Sequence, residues 1–358
     1  MNCPKHPKYQ GKFPSKVACR QCEDVYKDVH PLETARASKK EHDTKLYTAR
    51  TLKEALTHIT ELEAFVEAAK SLHNAHASTT ILPREGTNTS EAVAVAVATD
   101  WHLGSVIKPE TVNGLNSFDV AIGTERVKTF FERIVRFTEK ERQDIKIHDL
   151  ILFLGGDLIE GALHLDTIMS NEIAEPINQA ILAQELIESG LNFLLNHGKY
   201  RKITVVCQDG NHGRITQKMH SSTRKGNALE YFMYYSLAKR FPKLNWVVGK
   251  ALHSYLEVYD KVIRFHHGDT IGFGGVNGPY TYLNRRIYQW DEGTDADYSV
   301  QGHLHMYCVG TRRWLINGAL VGHNAYAISL GGEYQPPIQA FFLFDKKRGP
   351  TVQLPILL

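Results

Sequence analysis

The chain has 358 residues, 42% hydrophobic and 23% charged, with a formal net charge of +3 at pH 7. That length suits one large domain or two, and the composition is that of an ordinary globular protein. The longest apolar runs, such as Ala92 to Ala98, are far too short to span a bilayer, and Met1 to Lys8 lacks the apolar run of a secretory signal, so no membrane role and a cytoplasmic location are expected.

Residues 1–30 read as a small zinc-ribbon-like module, rich in Cys, Pro, Lys and His and with little periodicity. Three of five cysteines fall here, whereas Cys207 and Cys308 stand alone in apolar segments. An odd, clustered set fits a metal site plus two buried thiols better than a disulfide framework. Cys3-x2-His6, a gap of twelve, then Cys19-x2-Cys22 has the spacing of a four-ligand structural zinc site. A module this small needs its metal to fold. Lys5, Lys8, Lys12, Lys16 and Arg20 all precede the first acidic residue. Such a cationic end suits a phosphate backbone; the alternative is a solvated basic surface.

Residues 31–80 read as a long amphipathic helix. Positions 33–76 lack Gly and Pro, and Leu52, Ala55, Ile59, Leu62, Val66 and Ala69 alternate at spacings of three and four, which makes one apolar stripe. The stripe either pairs with a second copy, giving a homodimer through the 33–76 helix, or lies on its own chain. Residues 81–90, with Pro83 and Gly86, have linker composition.

Residues 91–358 form the main domain. Ala92 to Ala98 alternates Val and Ala, then breaks at Thr99-Asp100. Thr124 is placed to cap a helix carrying Val127, Phe130, Phe131 and Ile134. Leu150 to Leu154 reads as a buried strand ending at Gly155-Gly156-Asp157, and Ile203 to Cys207 as another running into Asp209-Gly210-Asn211-His212. Asn171 to Asn196 between them has helical period, and after Trp246 the chain turns to strands and Gly-rich loops. This alternation predicts an α/β class with polar residues gathered where strands end.

Five polar clusters follow these apolar runs: Asp100-Trp101-His102, Gly156-Asp157, Gly210-Asn211-His212, His267-Gly268 and Gly302-His303-Leu304-His305. Each is weak alone, and their joint occurrence in this order carries the signal. Phosphate esters resist hydrolysis because their charge repels a nucleophile; two divalent ions about 3.5–4 Å apart neutralise it and activate water. An aspartate can bridge such ions, and imidazoles and an Asn carbonyl complete the shells without adding negative charge. Asp100, His102, Asp157, Asn211, His267, His303 and His305 are the available ligands.

Taken together, the clusters resemble the signature of the calcineurin-like metallophosphoesterase superfamily, over the 206 residues from Asp100 to His305. The resemblance implies an α/β/β/α sandwich with two central mixed sheets and metals on loops at the sheet edges. It implies that Asp100, His102 and His305 hold one ion, that Asn211, His267 and His303 hold the other, and that Asp157 bridges them. The His-Gly-Asp form selects His267 over His266, which is left as a satisfied or solvent-facing neighbour. His212 would be the catalytic, non-ligand histidine, stabilising charge or protonating the departing oxygen. Manganese is the metal expected, with iron, zinc or magnesium as alternatives. One position departs: Gly213 stands where the family usually has an acidic residue orienting that histidine, leaving Asp209 and Glu160 as nearby substitutes.

Thr99 to Gly104 and Gly155 to Leu158 resemble the motifs of SbcD-type DNA-repair nucleases. Arg214, Lys218, Arg224 and Lys225, with no acidic residue between Gly210 and Leu229, make a loop suited to guiding a polyanion. The leading expectation is therefore an exonuclease-like DNA phosphodiesterase, with RNA as another polyanionic substrate. The alternatives are a phosphomonoesterase or nucleotide phosphodiesterase acting on small substrates, and a non-catalytic nucleic-acid-binding protein that retains the fold.

Overall fold

A computed structural model describes the chain except residues 1–2, 15, 17, 78–89, 164, 221, 272–277, 311–312 and 330–332. The expected linker therefore lies almost wholly outside the described residues. The chain divides into two compact units, Met1–Arg84 and Glu85–Leu358.

In the first unit, α1 spans Arg20–Val29 and α2 spans Pro31–Ala77. Helix α1 carries the second pair of the expected zinc ligands: Cys19 is its N-cap and Cys22 lies in its first turn. The first pair forms an isolated bridge, Cys3 to His6. The unit's apolar cluster consists of Cys3, Cys22 and Val25, with Tyr9 and Cys19 against it. So small a cluster offsets little chain entropy without a metal. Helix α2 leaves Leu52, Leu56, Ile59 and Leu62 exposed.

The second unit is built on two mixed sheets. The first runs β11-β10-β1-β2-β3-β4, from β1 (Ser90–Ala98), β2 (Ile145–Leu154), β3 (Lys202–Cys207), β4 (Asn245–Val248), β10 (Ile338–Asp345) and β11 (Gly349–Leu357). Strands β1 to β4 are parallel, while β10 runs antiparallel to both β1 and β11. The second runs β5-β6-β7-β9-β8, from β5 (Ser254–Val258), β6 (Lys261–Phe265), β7 (Tyr298–Gln301), β8 (Cys308–Gly310) and β9 (Trp314–Ile316). Its inner pairs, β6·β7 and β7·β9, are parallel and its outer pairs antiparallel.

The Val/Ala alternation of β1 shows how the layers form, because successive side chains point to opposite faces of a strand. Val93, Val95 and Val97 join Ile151, Phe153 and Phe342 against Ile263, Phe265, Val300 and Leu315 of the second sheet. Ala94, Ala96 and Ala98 face the other way, with Leu150, Leu152 and Val205, towards the helices. Those helices are α3 (Val120–Glu141), α5 (Pro176–His197) and α6 (Leu229–Arg240), separated in sequence by the short α4 (Leu165–Ser170). Beyond the second sheet, Leu283 and Ile287 of α7 (Gly278–Asp291) pack on Trp314 and Ile316. The short α8 (Ala325–Ser329) completes the set. The result is an α/β/β/α sandwich with two central mixed sheets.

Three local expectations are corrected. Helix α3 begins before Thr124: Asp119 is its N-cap and accepts from the Ile122 N–H at 2.7 Å, while the Thr124 hydroxyl donates to the Val120 carbonyl inside the helix. Helix α7 also falls within the stretch read as strands and loops. Of the two isolated thiols, Cys207 is buried, but Cys308 is only half-buried.

The topology positions the site. Ala98 pairs with Leu154, and Leu154 with Cys207, so three parallel strands end side by side and release Asp100, Asp157 and Asn211 at one edge. Strands β6 and β7, also parallel, end at Phe265 and Gln301 and release His267 and His303.

Candidate metal centre

The backbone marks these loops first. Among the described residues, eight non-glycine positions have positive φ, and five are Asp100 (56°), His102 (50°), Asp157 (52°), His303 (67°) and His305 (53°). Left-handed backbone is strained for such residues and gathers at functional sites. Two glycines permit the close approach. A Cβ at Gly210 would collide with Asp157 Oδ1, and one at Gly302 with Asp100 Oδ2.

Ligand-type atoms converge in three groups, Asp100–His102–His305, His102–Glu160–His212 and Asp157–His267–His303, each with its atoms within 4.8 Å of one another; the first and third hold the residues expected as ligands. Asn211 joins the third group, its Oδ1 lying 3.2 Å from His267 Nε2. The donor chemistry fits cations. His267 Nδ1 donates to the Gly155 carbonyl at 2.8 Å, and His102 Nδ1 lies 2.7 Å from Glu160 Oε2. Each bond places the ring proton on Nδ1, so that Nε2 of the neutral ring is an acceptor. Yet His102 Nε2 is 3.1 Å from His305 Nε2, and His267 Nε2 is 3.0 Å from Asp157 Oδ2. His267 Nε2 facing Asp157 Oδ2 is an acceptor against an acceptor and needs positive charge between them, as a proton or a metal ion, whereas the His102–His305 contact is met either by a cation or by the Nε2–H tautomer of His305.

Without metal, protons serve. Burial opposes charging of His267, but the Asp157 carboxylate outweighs it and pushes the ring up to about 10. Burial also opposes ionisation of Asp157, and His267 and His212 nevertheless hold it well below the usual carboxylate range. Burial and the charge on His267 push His303 down to about 4.

His212 is bound at both ends. Its backbone N–H donates to Asp157 Oδ1 at 2.8 Å and its Nδ1 donates to the Glu160 carbonyl at 2.9 Å. The Glu160 carboxylate stands 3.6 Å from the same nitrogen, beyond hydrogen-bond reach but close enough to act by charge. Burial lowers the His212 pKa, and Asp157 and Glu160 more than reverse that, leaving it raised. Of the two substitutes open in the sequence, Glu160 is therefore the one beside His212, since Asp209 is engaged elsewhere.

The basic loop needs a correction. Arg224 is 7% exposed; its Nε donates to Asp209 Oδ2 at 3.0 Å and its Nη1 to Asp269 Oδ2 at 2.6 Å. Lys225 pairs with Asp209 and donates to Gln208 Oε1 at 2.6 Å. These cations tie the β3 loop to the β6 loop, next to the candidate ligand His267. Arg214 donates to the Asn211 carbonyl, and Lys218 is exposed. His266 is neither satisfied nor solvent-facing. It is 2% exposed, both ring nitrogens lack a hydrogen-bond partner among the described residues, and it packs beside His253 and Trp290 with ring centroids 5.0 Å from each.

Sequence reasoning missed Glu230. Fully buried in the first turn of α6, it accepts from the Leu158 N–H and the Gly210 N–H, both at 2.7 Å. Burial, then the charge of Asp157, pushes it up to about 7.

In the first unit, His6 Nδ1 lies 3.2 Å from Cys22 Sγ and 3.8 Å from Cys3 Sγ, and Cys3 Sγ lies 4.0 Å from Cys19 Sγ. A tetrahedral zinc with Zn–S of ~2.3 Å has S···S edges of about 3.8 Å, so the four side chains already approximate that tetrahedron.

No family model matches the sequence, and no curated protein matches it. Solved structures with a similar fold include YfcE, a phosphoesterase from E. coli (13% identity, 74% of this chain and 99% of that one, TM-score 0.32). Vps29 complexed with zinc from Entamoeba histolytica matches at 13% identity over 74% of this chain and 99% of its own, TM-score 0.29. A predicted phosphoesterase from Streptococcus pneumoniae matches at 11% over 73% and 97%, TM-score 0.28. Likenesses at such TM-scores add nothing to the geometry above, which carries the reading alone.

Proposed function

We propose that the chain is a dinuclear metal-dependent phosphoesterase of the calcineurin-like type, acting as a phosphodiesterase on DNA. The observation that carries this reading is the convergence of two groups of metal-ligand-type side chains, around Asp100 and Asp157, on strained backbone at one sheet edge. Asp100, His102 and His305 would hold one cation, Asn211, His267 and His303 the second, with Asp157 between them. Bound there, the cations would neutralise the ester's charge and make water nucleophilic at neutral pH. Glu160 and the Gly155 carbonyl orient the rings of His102 and His267. His212, its pKa raised by Asp157 and Glu160, carries a proton to give to the departing oxygen.

DNA as substrate is supported by the motif resemblance and by the basic N-terminal module, whose zinc geometry is described above. A second copy is proposed as the partner of α2, because an exposed stripe at spacings of 3.5 residues is the seam of a coiled coil. The small-substrate reading gains from one observation. With Arg224 and Lys225 committed to Asp209 and Asp269, the loop beside His212 offers a polyanion fewer cations than its sequence suggests.

The test compares single- and double-stranded DNA with nitrophenyl mono- and diesters, with Mn²⁺ present, for wild type and Asp157→Asn. Hydrolysis of DNA by the wild type alone supports the proposal. Preference for the monoester favours the small-substrate reading, and DNA binding that survives Asp157→Asn without any hydrolysis in the wild type favours a non-catalytic one.

A further inference from the structure

The two loops that carry Asp157 and Asn211 come from neighbouring strands and already meet where the His212 N–H donates to Asp157 Oδ1 and the His212 ring to the Glu160 carbonyl. A further side chain, from outside both loops, also joins them. Glu230 reaches in from α6 and receives the N–H of Leu158, next to Asp157, on Oε1, and the N–H of Gly210, next to Asn211, on Oε2. Both bonds are 2.7 Å, in the range of charge-assisted hydrogen bonds, and the carboxylate is fully buried. The two N–H groups, one from each loop, are thus satisfied by a single carboxylate.

Gly213 shows that this arrangement has a steric counterpart. Its φ lies outside the left-handed region, so its backbone would admit a side chain. A Cβ there would nevertheless stand 2.9 Å from Glu230 Cγ and 3.1 Å from Cδ and Oε2. The space in which residue 213 would place an acidic side chain is filled by the Glu230 carboxyl group. The entry of α6 is fastened to the same turn, with the Leu229 N–H bonded to the Gly213 carbonyl at 2.9 Å and Arg214 bridged to Ala228.

We propose that Glu230 is a positioning residue for the metal centre: it clamps the Asp157 loop to the Asn211 loop from α6, with its carboxyl group filling the space beside Gly213. The proposal rests on the dinuclear reading for its consequence and on the hydrogen bonds alone for its geometry. The hydrogen bonds of the Glu230 carboxylate go to backbone N–H groups and not to the candidate ligand side chains. In Glu230→Gln one oxygen becomes an NH₂ group facing an N–H donor, so one of the two bonds is lost. In Glu230→Ala/Gly213→Asp the vacated space receives a carboxylate from the other side.

The experiment measures two things on the full chain. Hydrogen exchange of the metal-free protein reads the Leu158 and Gly210 amides directly, and calorimetric titration reads Mn²⁺ affinity. Glu230→Gln is expected to raise exchange at least tenfold at whichever of the two amides loses its bond and to weaken Mn²⁺ binding by about 10- to 100-fold, the range typical of lost supports behind metal ligands. The Glu230→Ala/Gly213→Asp swap is expected to restore both. Gly213→Ala, which keeps the carboxylate but crowds Glu230, gives a second disturbance should Glu230→Gln fail to fold, and is expected to shift both readouts the same way. Unchanged exchange in Glu230→Gln, or in Gly213→Ala where that is the folded variant, overturns the clamp, as does a swap that remains as impaired as Glu230→Gln. A wild type that binds no Mn²⁺ at the site also overturns the claim of positioning a metal centre; the exchange result then separates that failure from a failure of the clamp geometry.

Discussion

Glu160 joins the two histidines that matter most: its Oε2 lies 2.7 Å from His102 Nδ1, and its carbonyl receives the proton of His212 Nδ1 at 2.9 Å. The side chain thus fixes the tautomer of a candidate metal ligand while the main chain fixes that of the candidate proton donor. Both rings are held edge to face, with centroids 4.6 Å apart. Replacing Glu160 with Ala removes the first bond and keeps the second. Metal affinity is expected to fall about 10- to 100-fold, as read by Mn²⁺ titration, while His212 keeps its backbone anchor. Affinity within threefold of wild type would contradict this role.

Metal uptake should release protons. His267 is pushed up to about 10 in the metal-free protein, chiefly because Asp157 outweighs burial, and a ligand nitrogen must lose its proton to bind a cation. Below pH 10 the proton competes with the metal, so affinity should rise with pH between 6 and 9, by up to about one log unit per pH unit for one proton released. Calorimetry in buffers of different ionisation enthalpy would count the protons. A pH-independent affinity would show that the ring is already neutral.

The N-terminal cluster should hold one zinc. In the metal-free state the Cys22 N–H lowers the Cys19 thiol to about 7, while burial raises Cys22 to about 12; zinc would hold both as thiolates. Cys22→Ser is expected to lose that zinc and the helicity of α1 while leaving hydrolysis of a small diester unchanged. Deleting residues 1–30 should weaken DNA binding and flatten its salt dependence. Unaltered DNA affinity would assign the module to another partner.

His253 predicts an acid limit on stability. Burial and the nearby Arg264 push it down to about 4, below its ordinary value. Between pH 6.5 and 4 the unfolded chain therefore takes up a proton that the folded chain does not, and stability is lost as pH falls through that window. His253→Gln removes this one contribution, so denaturant titrations at pH 7 and pH 5 should differ less for the variant than for wild type. An equal loss in both would mean that the ring is charged without cost.

The parts of this molecule legible in its sequence are those written in short stretches of chain. The alternation from Ala92 to Ala98 specifies a strand buried on both faces, and only its two residue sizes, Ala towards helices and Val towards the other sheet, needed the structure. Each ligand pair sits one or two residues apart just beyond a strand, so Asp100 and His102, or His303 and His305, could be read locally. Contacts that join distant segments were not legible. Glu230 lies 72 residues from Leu158, and nothing in its own neighbourhood distinguishes it from a surface glutamate of α6. Likewise the charges of Arg224 and Lys225 were visible, but not the burial of Asp209 and Asp269 beside them. Asp119 and Thr124 are both good N-caps; packing of Val127, Phe130 and Ile134 on the sheet, which sets the helix phase, decides between them.

The most direct test of the dinuclear centre is anomalous diffraction from crystals grown with Mn²⁺. The account predicts two peaks about 3.5–4 Å apart, one beside Asp100, His102 and His305, the other beside Asn211, His267 and His303, with Asp157 in contact with both. Absence of peaks at these residues, or a single ion remote from Asp157 in a crystal saturated with metal, would contradict it.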